Sequence, residues 1–520
     1  MEKMRNPFYL GDQPGGTEVS GWLDAWTPAP SAYGIAARTT ADVVAGVDFA
    51  RRHNLRLVVK GTGHSYLGTS NAPDSLLIWT RAMNKVMLHD GFVGQRCGKN
   101  AAPSPAVSAG AGCMWIDLYN AVTTQAGRYV QGGGCTTVGV AGLVQSGGFG
   151  SFSKGFGSAA AGLLEAEVVT ADGRVRIANA CTNPDLFWAL KGGGGGSWGV
   201  VTRVTLRTHR LPESFGFAAG SIQAQSDAAF RQLIGRAMDL YRDKLFNPHW
   251  GEQMKLGPDN TLELSMVCQG LSDDQITQVW RPFFEWVNSE KDLKASDLNT
   301  GARPARPWWD VVARKKRGSK AMISDPRPGA SETHAWWSGD QDQVGAFIHG
   351  YDSMWLPASL LEDGRREQLV EALFAASRHK KVEMHFNKGI AGAPPEAVAA
   401  TRATATNPEV TKAFVLVIIA DGERPAYPGL ERPAIEVDAA RRNAREIDLA
   451  AAELRKIAPG SGSYVSESNF FNAAWQKEYW GTNYARLQAV KKQYDPDGLF
   501  IVHHGVGSEE WSPDGFTKVS

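Results

Sequence analysis

Cysteine is scarce in this chain. There are five in 520 residues, Cys97, Cys113, Cys135, Cys181 and Cys268. No two make a Cys-x-x-Cys pair, so their spacing gives neither a zinc signature nor a disulfide framework. An excess of charge is missing as well. Lys and Arg number 55 against 54 Asp and Glu, a net +1. No overall field argues for nucleic acid or a membrane surface. No apolar run reaches the roughly 18 residues that a membrane helix needs. The first ten residues lack the apolar centre of a secretion signal. A leader cleaved before residue 1 is compatible with that, so the compartment stays open and the default is a soluble, cytoplasmic protein. Two nucleotide signatures are absent too. No strand–GxGxxG–helix is followed about 20 positions later by an acid, and no glycine loop ends in Gly-Lys-Ser/Thr.

Glycine (57) and tryptophan (17) are the unusual counts. The glycines cluster, which marks places where backbone approaches something closely. The first cluster is Lys60-Gly61-Thr62-Gly63-His64-Ser65-Tyr66, after a strand-like run at 55–59. The second runs from Gly132 to Gly150, and the third is Gly192 to Gly196, just before the β-prone run 200–208. Loop amides without side chains in the way can converge on a phosphate. Taken singly, each cluster reads more readily as a tight turn. Three within 200 residues, each beside a β-run, favour a large diphosphate cofactor.

Other patterns place the elements. Residues 1–35 read as an irregular lead-in, and Thr40 as the cap of a helix carrying Val43, Val44 and Val47. Residues 163–177 form a hairpin pattern turning at Asp172-Gly173. Beyond residue 212 the helices lengthen. The basic run Arg314-Lys315-Lys316-Arg317 reads as a solvated loop. Residues 382–388 alternate as a strand: Val382, Met384 and Phe386 on one face, Glu383, His385 and Asn387 on the other.

The three glycine stretches carry a specific resemblance. The first resembles the histidine-bearing pyrophosphate loop of the vanillyl-alcohol-oxidase/p-cresol-methylhydroxylase (PCMH) flavoproteins, most of all their berberine-bridge-enzyme-like branch. Residues 135–150 are similar to that branch's second flavin loop, and 185–202 to its third. Tyr479-Trp-Gly-Thr-Asn483, with Lys491 and Tyr494 beyond it, resembles its C-terminal signature. Residues 385–408 and the ending after Val502 look like the isoamyl-alcohol-oxidase group. The resemblance implies an α+β fold: a two-subdomain PCMH-type FAD-binding domain (1–212), a substrate domain with an antiparallel sheet covered by helices (213–460), and a C-terminal segment (461–520) that completes the FAD domain.

It also implies functional residues. FAD contacts carried over are Gly61, Thr62, Gly63, His64, Ser65, Val138, Gly139, Gly142, Ser146, Gly147, Gly150, Gly199, Val200, Val201 and Asn483. His64 would bond the flavin 8α-methyl. The cysteine that many of these enzymes bond to flavin C6 falls at Gly139, and Cys135 is four residues too early. One covalent link is therefore expected, with Cys135 a small buried hydrophobe. Val138 occupies the position that gates oxygen, where valine goes with oxidases. The implied reaction takes a hydride from an alcohol, phenol or sugar carbon and returns electrons to O2, giving H2O2. Its rivals are a dehydrogenase with another acceptor and a flavin- or sugar-binding protein without turnover. The base is left open among Glu383, His385, Tyr479 and Asn483, the last two sharing one helix face, with Lys388 as the cation lowering a tyrosine pKa. His503 and His504 border the ring, and no metal is expected. A monomer or homodimer is expected.

Overall fold

Alternation in the middle of the chain builds the largest sheet. The computed structural model describes residues 2–98, 101–431 and 434–519. Seven antiparallel strands lie in the order Leu293–Pro304, Ser214–Ala224, Thr261–Gln269, Trp250–Leu256, Val382–His385, Ala413–Glu423, Phe347–Pro357. Period two sends Met254, Leu256, Leu262, Leu264, Val382 and Met384 to one face. There they meet Phe230, Trp280, Leu373 and Leu454 from four long helices, Asp227–Leu240, Asp273–Ser289, Asp363–His379 and Val437–Ile457. Each large side chain so buried contributes roughly 1.5–3 kcal/mol. The opposite face carries Gln253, Lys255, Glu263, Ser265, Glu383 and His385, and it walls a cavity.

Two smaller sheets form the other wall. A parallel one pairs Tyr33–Ala36 and Leu57–Lys60 with Leu76–Trp79 between them. It packs against the helix Thr40–Arg52 through Val43, Val47, Leu57 and Ile78. An antiparallel one runs Val86–Phe92, Ser104–Gly110, Val200–Arg210, Leu163–Val169, Val175–Asn179, with Arg128–Val130 also on Val200–Arg210. The α+β class and the helix-covered antiparallel sheet are those expected. The tail returns to this part of the molecule: the Lys491 ammonium on the helix Tyr484–Tyr494 donates to the carbonyls of Ser197 and Phe500 and to Asp495.

Several local expectations are corrected. Cys97 and Cys181 are disulfide-bonded. They are 84 residues apart, and spacing alone cannot reveal a pair that only the folded sheet brings together. The helix cap is Thr39, in a capping box with Asp42, and Thr40 is the first helical residue. The strand at 382 stops at His385, and Phe386–Lys388 forms a 3-10 turn. The basic run lies largely on a short helix, Val311–Lys316, and Arg314 is tucked between the Trp308 and Trp337 rings. The lead-in is irregular over most of its length, as expected, but it is packed. It holds a short helix, Pro7–Gly11, and Trp22 is buried in a cluster with Phe347 and Ile348.

Candidate active site

The glycine clusters and the polar sheet face line one cavity of about 1130 Å³. That volume suits a large cofactor with substrate beside it. The first loop follows the strand Leu57–Lys60. The buried Lys60 anchors it by donating to the backbone carbonyls of Gln13 and Pro14. Gly63 has a left-handed φ of 88°, and a Cβ there would meet the Gly16 carbonyl at 2.9 Å, so only glycine fits the turn. Among the described residues, no backbone carbonyl accepts from the amides of Gly61, Thr62, Gly63 and His64. Gly142 and Gly195 also line the cavity, and a Cβ on either would meet no protein atom. These free amides and open glycines suit a diphosphate and a flat ring, so the residues present fit FAD.

Of the expected cofactor contacts, Gly61, Thr62, Gly63, His64, Ser65, Val138, Gly139, Gly142, Ser146, Gly150, Gly199 and Val201 line the cavity. Val200 is buried in the neighbouring core instead. Gly147 packs near Thr406 and Tyr464, and Asn483 donates to the carbonyls of Ala405 and Thr406. His64 is half-buried on the cavity wall, and desolvation alone holds its pKa down at about 3, so the imidazole is neutral. Its Nε2 lies 3.1 Å from the Thr137 hydroxyl and 3.4 Å from the Glu18 carboxylate. Cys135 is not the plain core residue expected. It borders the cavity, 3.5 Å from the same Thr137 hydroxyl, and burial pushes its thiol pKa up.

The polar strand face and the 3-10 turn after it deliver three candidates together. Glu383, His385 and Lys388 all reach the cavity. Burial works against ionising Glu383, but His385, Lys255 and Lys381 outweigh it and hold its pKa well below the carboxylate range. The Lys255 and Lys381 ammonium groups are 3.4 and 3.2 Å away. His385 is lowered by burial and then by the Lys388 charge, so it is neutral at pH 7. Its Nε2 is buried with no hydrogen-bond partner and lies 3.7 Å from Glu383. Lys388 donates to Glu467.

Tyr479 and Asn483 are not brought to this cavity. The helix Trp475–Trp480 ends at Gly481, with φ 53°, so the two residues sit on separate elements. The Tyr479 phenol oxygen accepts from the Ser468 hydroxyl, and burial raises its pKa instead of lowering it. Its oxygen is 3.3 Å from His504 Nδ1. His503 and His504 do border the cavity, with His503 stacked on Phe470 at 3.7 Å. His504 holds a left-handed φ of 53°, rare for a side-chain-bearing residue and common at functional sites. Among the described residues no group of His, Cys, Asp or Glu could hold a metal ion.

Sequence reasoning missed Glu18, Thr137 and Glu467. Glu18 lies in the lead-in, where no periodicity marks it. Glu467 stands in an irregular stretch, within the run Ser466-Glu467-Ser468, with no motif around it.

Comparison with known proteins agrees with this geometry. Residues 31–179 match the family model of an FAD binding domain, and 443–507 match that described as berberine and berberine like. The chain is 30% identical to the VAO-type flavoprotein oxidase VAO615 of Thermothelomyces thermophilus, over 91% of its own length and 75% of that protein. The solved structure of VAO-type flavoprotein MtVAO615 from Myceliophthora thermophila superimposes with a TM-score of 0.74 at 27% identity, covering 93% of this chain and 81% of that one. The carbohydrate oxidase from Microdochium nivale shares the fold, with a TM-score of 0.69 at 19% identity over 96% and 97% of the two chains. The chain belongs to the FAD-linked oxidoreductases of the vanillyl-alcohol-oxidase/p-cresol-methylhydroxylase superfamily, in its berberine-bridge-enzyme-like branch.

Proposed function

We propose that this protein is an oxidase acting on a CH–OH group, with FAD held by one covalent bond to His64. The observation that carries the reading is His385: a neutral, buried imidazole with an unpartnered Nε2, in the same cavity as the glycine loops. A base of that kind takes the substrate hydroxyl proton while the carbon gives up its hydride. FAD held by these residues would supply the hydride acceptor and the route for electrons to O2, giving H2O2. Glu383, ionised among its cations, orients His385 and favours the imidazolium that forms. Lys388 and Glu467 form a neutral pair beside it, available to the substrate's other hydroxyls. Val138 on the cavity wall leaves room for O2. Trp308, Trp309, Trp336 and Trp337 line the same cavity and suit the flat face of a sugar or phenol. The Cys135 thiol is held protonated by burial, which favours His64 as the only attachment point.

Anaerobic stopped-flow with a panel of alcohols, phenols and sugars tests the reading. A substrate that bleaches the flavin is expected, with fast recovery on mixing with air. Reduction followed by sluggish recovery would make the protein a dehydrogenase. No reduction by any compound would leave it a flavin- or sugar-binding protein. Peptide mass mapping of the flavin checks the bond, and a flavin on the Cys135 peptide would refute the single link.

A further inference from the structure

We propose that Glu18 is the proton acceptor that activates His64 for its bond to the flavin. This rests on the reading of His64 as the attachment point. The backbone of Glu18 is fixed on both sides. Its amide donates to the Gly63 carbonyl at 3.0 Å, and its carbonyl accepts from Gly345 at 2.6 Å. The flanking Thr17 carbonyl is held by the Tyr427 hydroxyl, and the Ser20 hydroxyl donates to the Gly345 carbonyl. The Glu18 side chain is 6% exposed, and its Oε2 has no hydrogen-bond partner among the described residues. That oxygen lies 3.4 Å from His64 Nε2. An orphaned buried carboxylate oxygen costs stability unless something uses it.

The contact sorts the two ring nitrogens. Thr137 and Glu18 both engage Nε2. With the proton on Nε2, Nδ1 keeps the lone pair and is the nucleophile. Burial, and then the nearby Asp340 charge, raise the pKa of Glu18, so attachment is expected to quicken as rising pH ionises its carboxyl. In the attachment step the Nδ1–C8α bond forms and one C8α–H bond breaks. The Nε2 proton passes to Glu18, which leaves the linked imidazole neutral. The hydrogen lost from C8α stays with the cofactor as a proton of its two-electron-reduced form. O2 then takes those two electrons, with that proton and the one on Glu18, to give H2O2. Bond making and proton removal balance, and dioxygen is the oxidant.

The test uses full-length protein made flavin-free under riboflavin limitation and then mixed with FAD in air. Flavin surviving gel filtration reports binding, and in-gel fluorescence after SDS reports the covalent fraction. E18Q and E18A are expected to bind FAD but to attach it on the order of 100-fold more slowly. Formate should speed E18A by entering the space left by the carboxylate, and should not speed E18Q. A purely structural role would not respond to formate. Attachment by both variants at the wild-type rate would overturn the proposal. If neither variant retains FAD through gel filtration, E18D decides: covalent flavin supports the role, and bound FAD without attachment overturns it. H64A is the separate control. Covalent flavin persisting in H64A would remove the attachment reading itself, while loss in H64A with a full rate in E18Q removes only the role of Glu18.

Discussion

His385 has a charge environment that makes its titration readable. Burial and the Lys388 ammonium push its pKa below the usual imidazole value, while Glu383 and Glu467 push it up. A base must be unprotonated, so kcat/KM is expected to be flat near neutrality and to fall in acid, below the ordinary imidazole range near 6.5. K388M removes the cation and leaves Glu467 unpaired, and both changes raise the pKa. The acid limb of the K388M profile should therefore move to higher pH. A limb that stays put would mean that another group is the base. The candidate was legible beforehand because alternation puts Glu383 and His385 on one strand face whatever the sheet packs against. Tyr479 read equally well and lies elsewhere. Its spacing to Asn483 presumed one continuous helix, and the left-handed turn at Gly481 depends on the close approach of Asn407, 3.1 Å from where a Cβ would stand.

At the scale of elements, the short helix Ser153–Phe156 carries a contact that binds the two walls of the cavity. Lys154 is fully buried, and its ammonium donates to the carbonyls of Gly389, Ala391 and Phe414 at 2.6, 2.9 and 3.1 Å. Those acceptors border the seven-stranded sheet, where Ala413–Glu423 is an inner strand. K154M fills the volume but strands three carbonyls, and is expected to cost on the order of 2–4 kcal/mol. Chemical denaturation checks it, and an unchanged midpoint would show that the carbonyls find other donors. A lone lysine between a serine and a glycine gave no hint of this. The glycine loops around it were legible, because glycine clusters carry their own conformational meaning. A buried cation shows itself only once its acceptors are in place.

On the scale of the whole molecule, the antiparallel sheet of the FAD domain has Val86–Phe92 and Val175–Asn179 as its outermost strands. Cys97 and Cys181 lie in the loops that follow those two strands, so their disulfide ties one rim of the sheet to the other. Asn179 donates to the Gln95 carbonyl in the same seam. Closing an 84-residue loop restrains the unfolded chain, and C97A/C181A is expected to lose about 2–4 kcal/mol. Denaturation with and without reductant should reproduce that loss in the wild type and show no reductant effect in the double variant. Equal midpoints for the two proteins would mean that the seam holds without its sulfur bridge. The bridge also sets terms for how the protein is made. A compartment that keeps thiols reduced delivers the chain with this seam unlinked. Chain matured there and chain matured in an oxidising compartment are then two preparations of one sequence, which differ in how tightly the sheet is closed when FAD arrives.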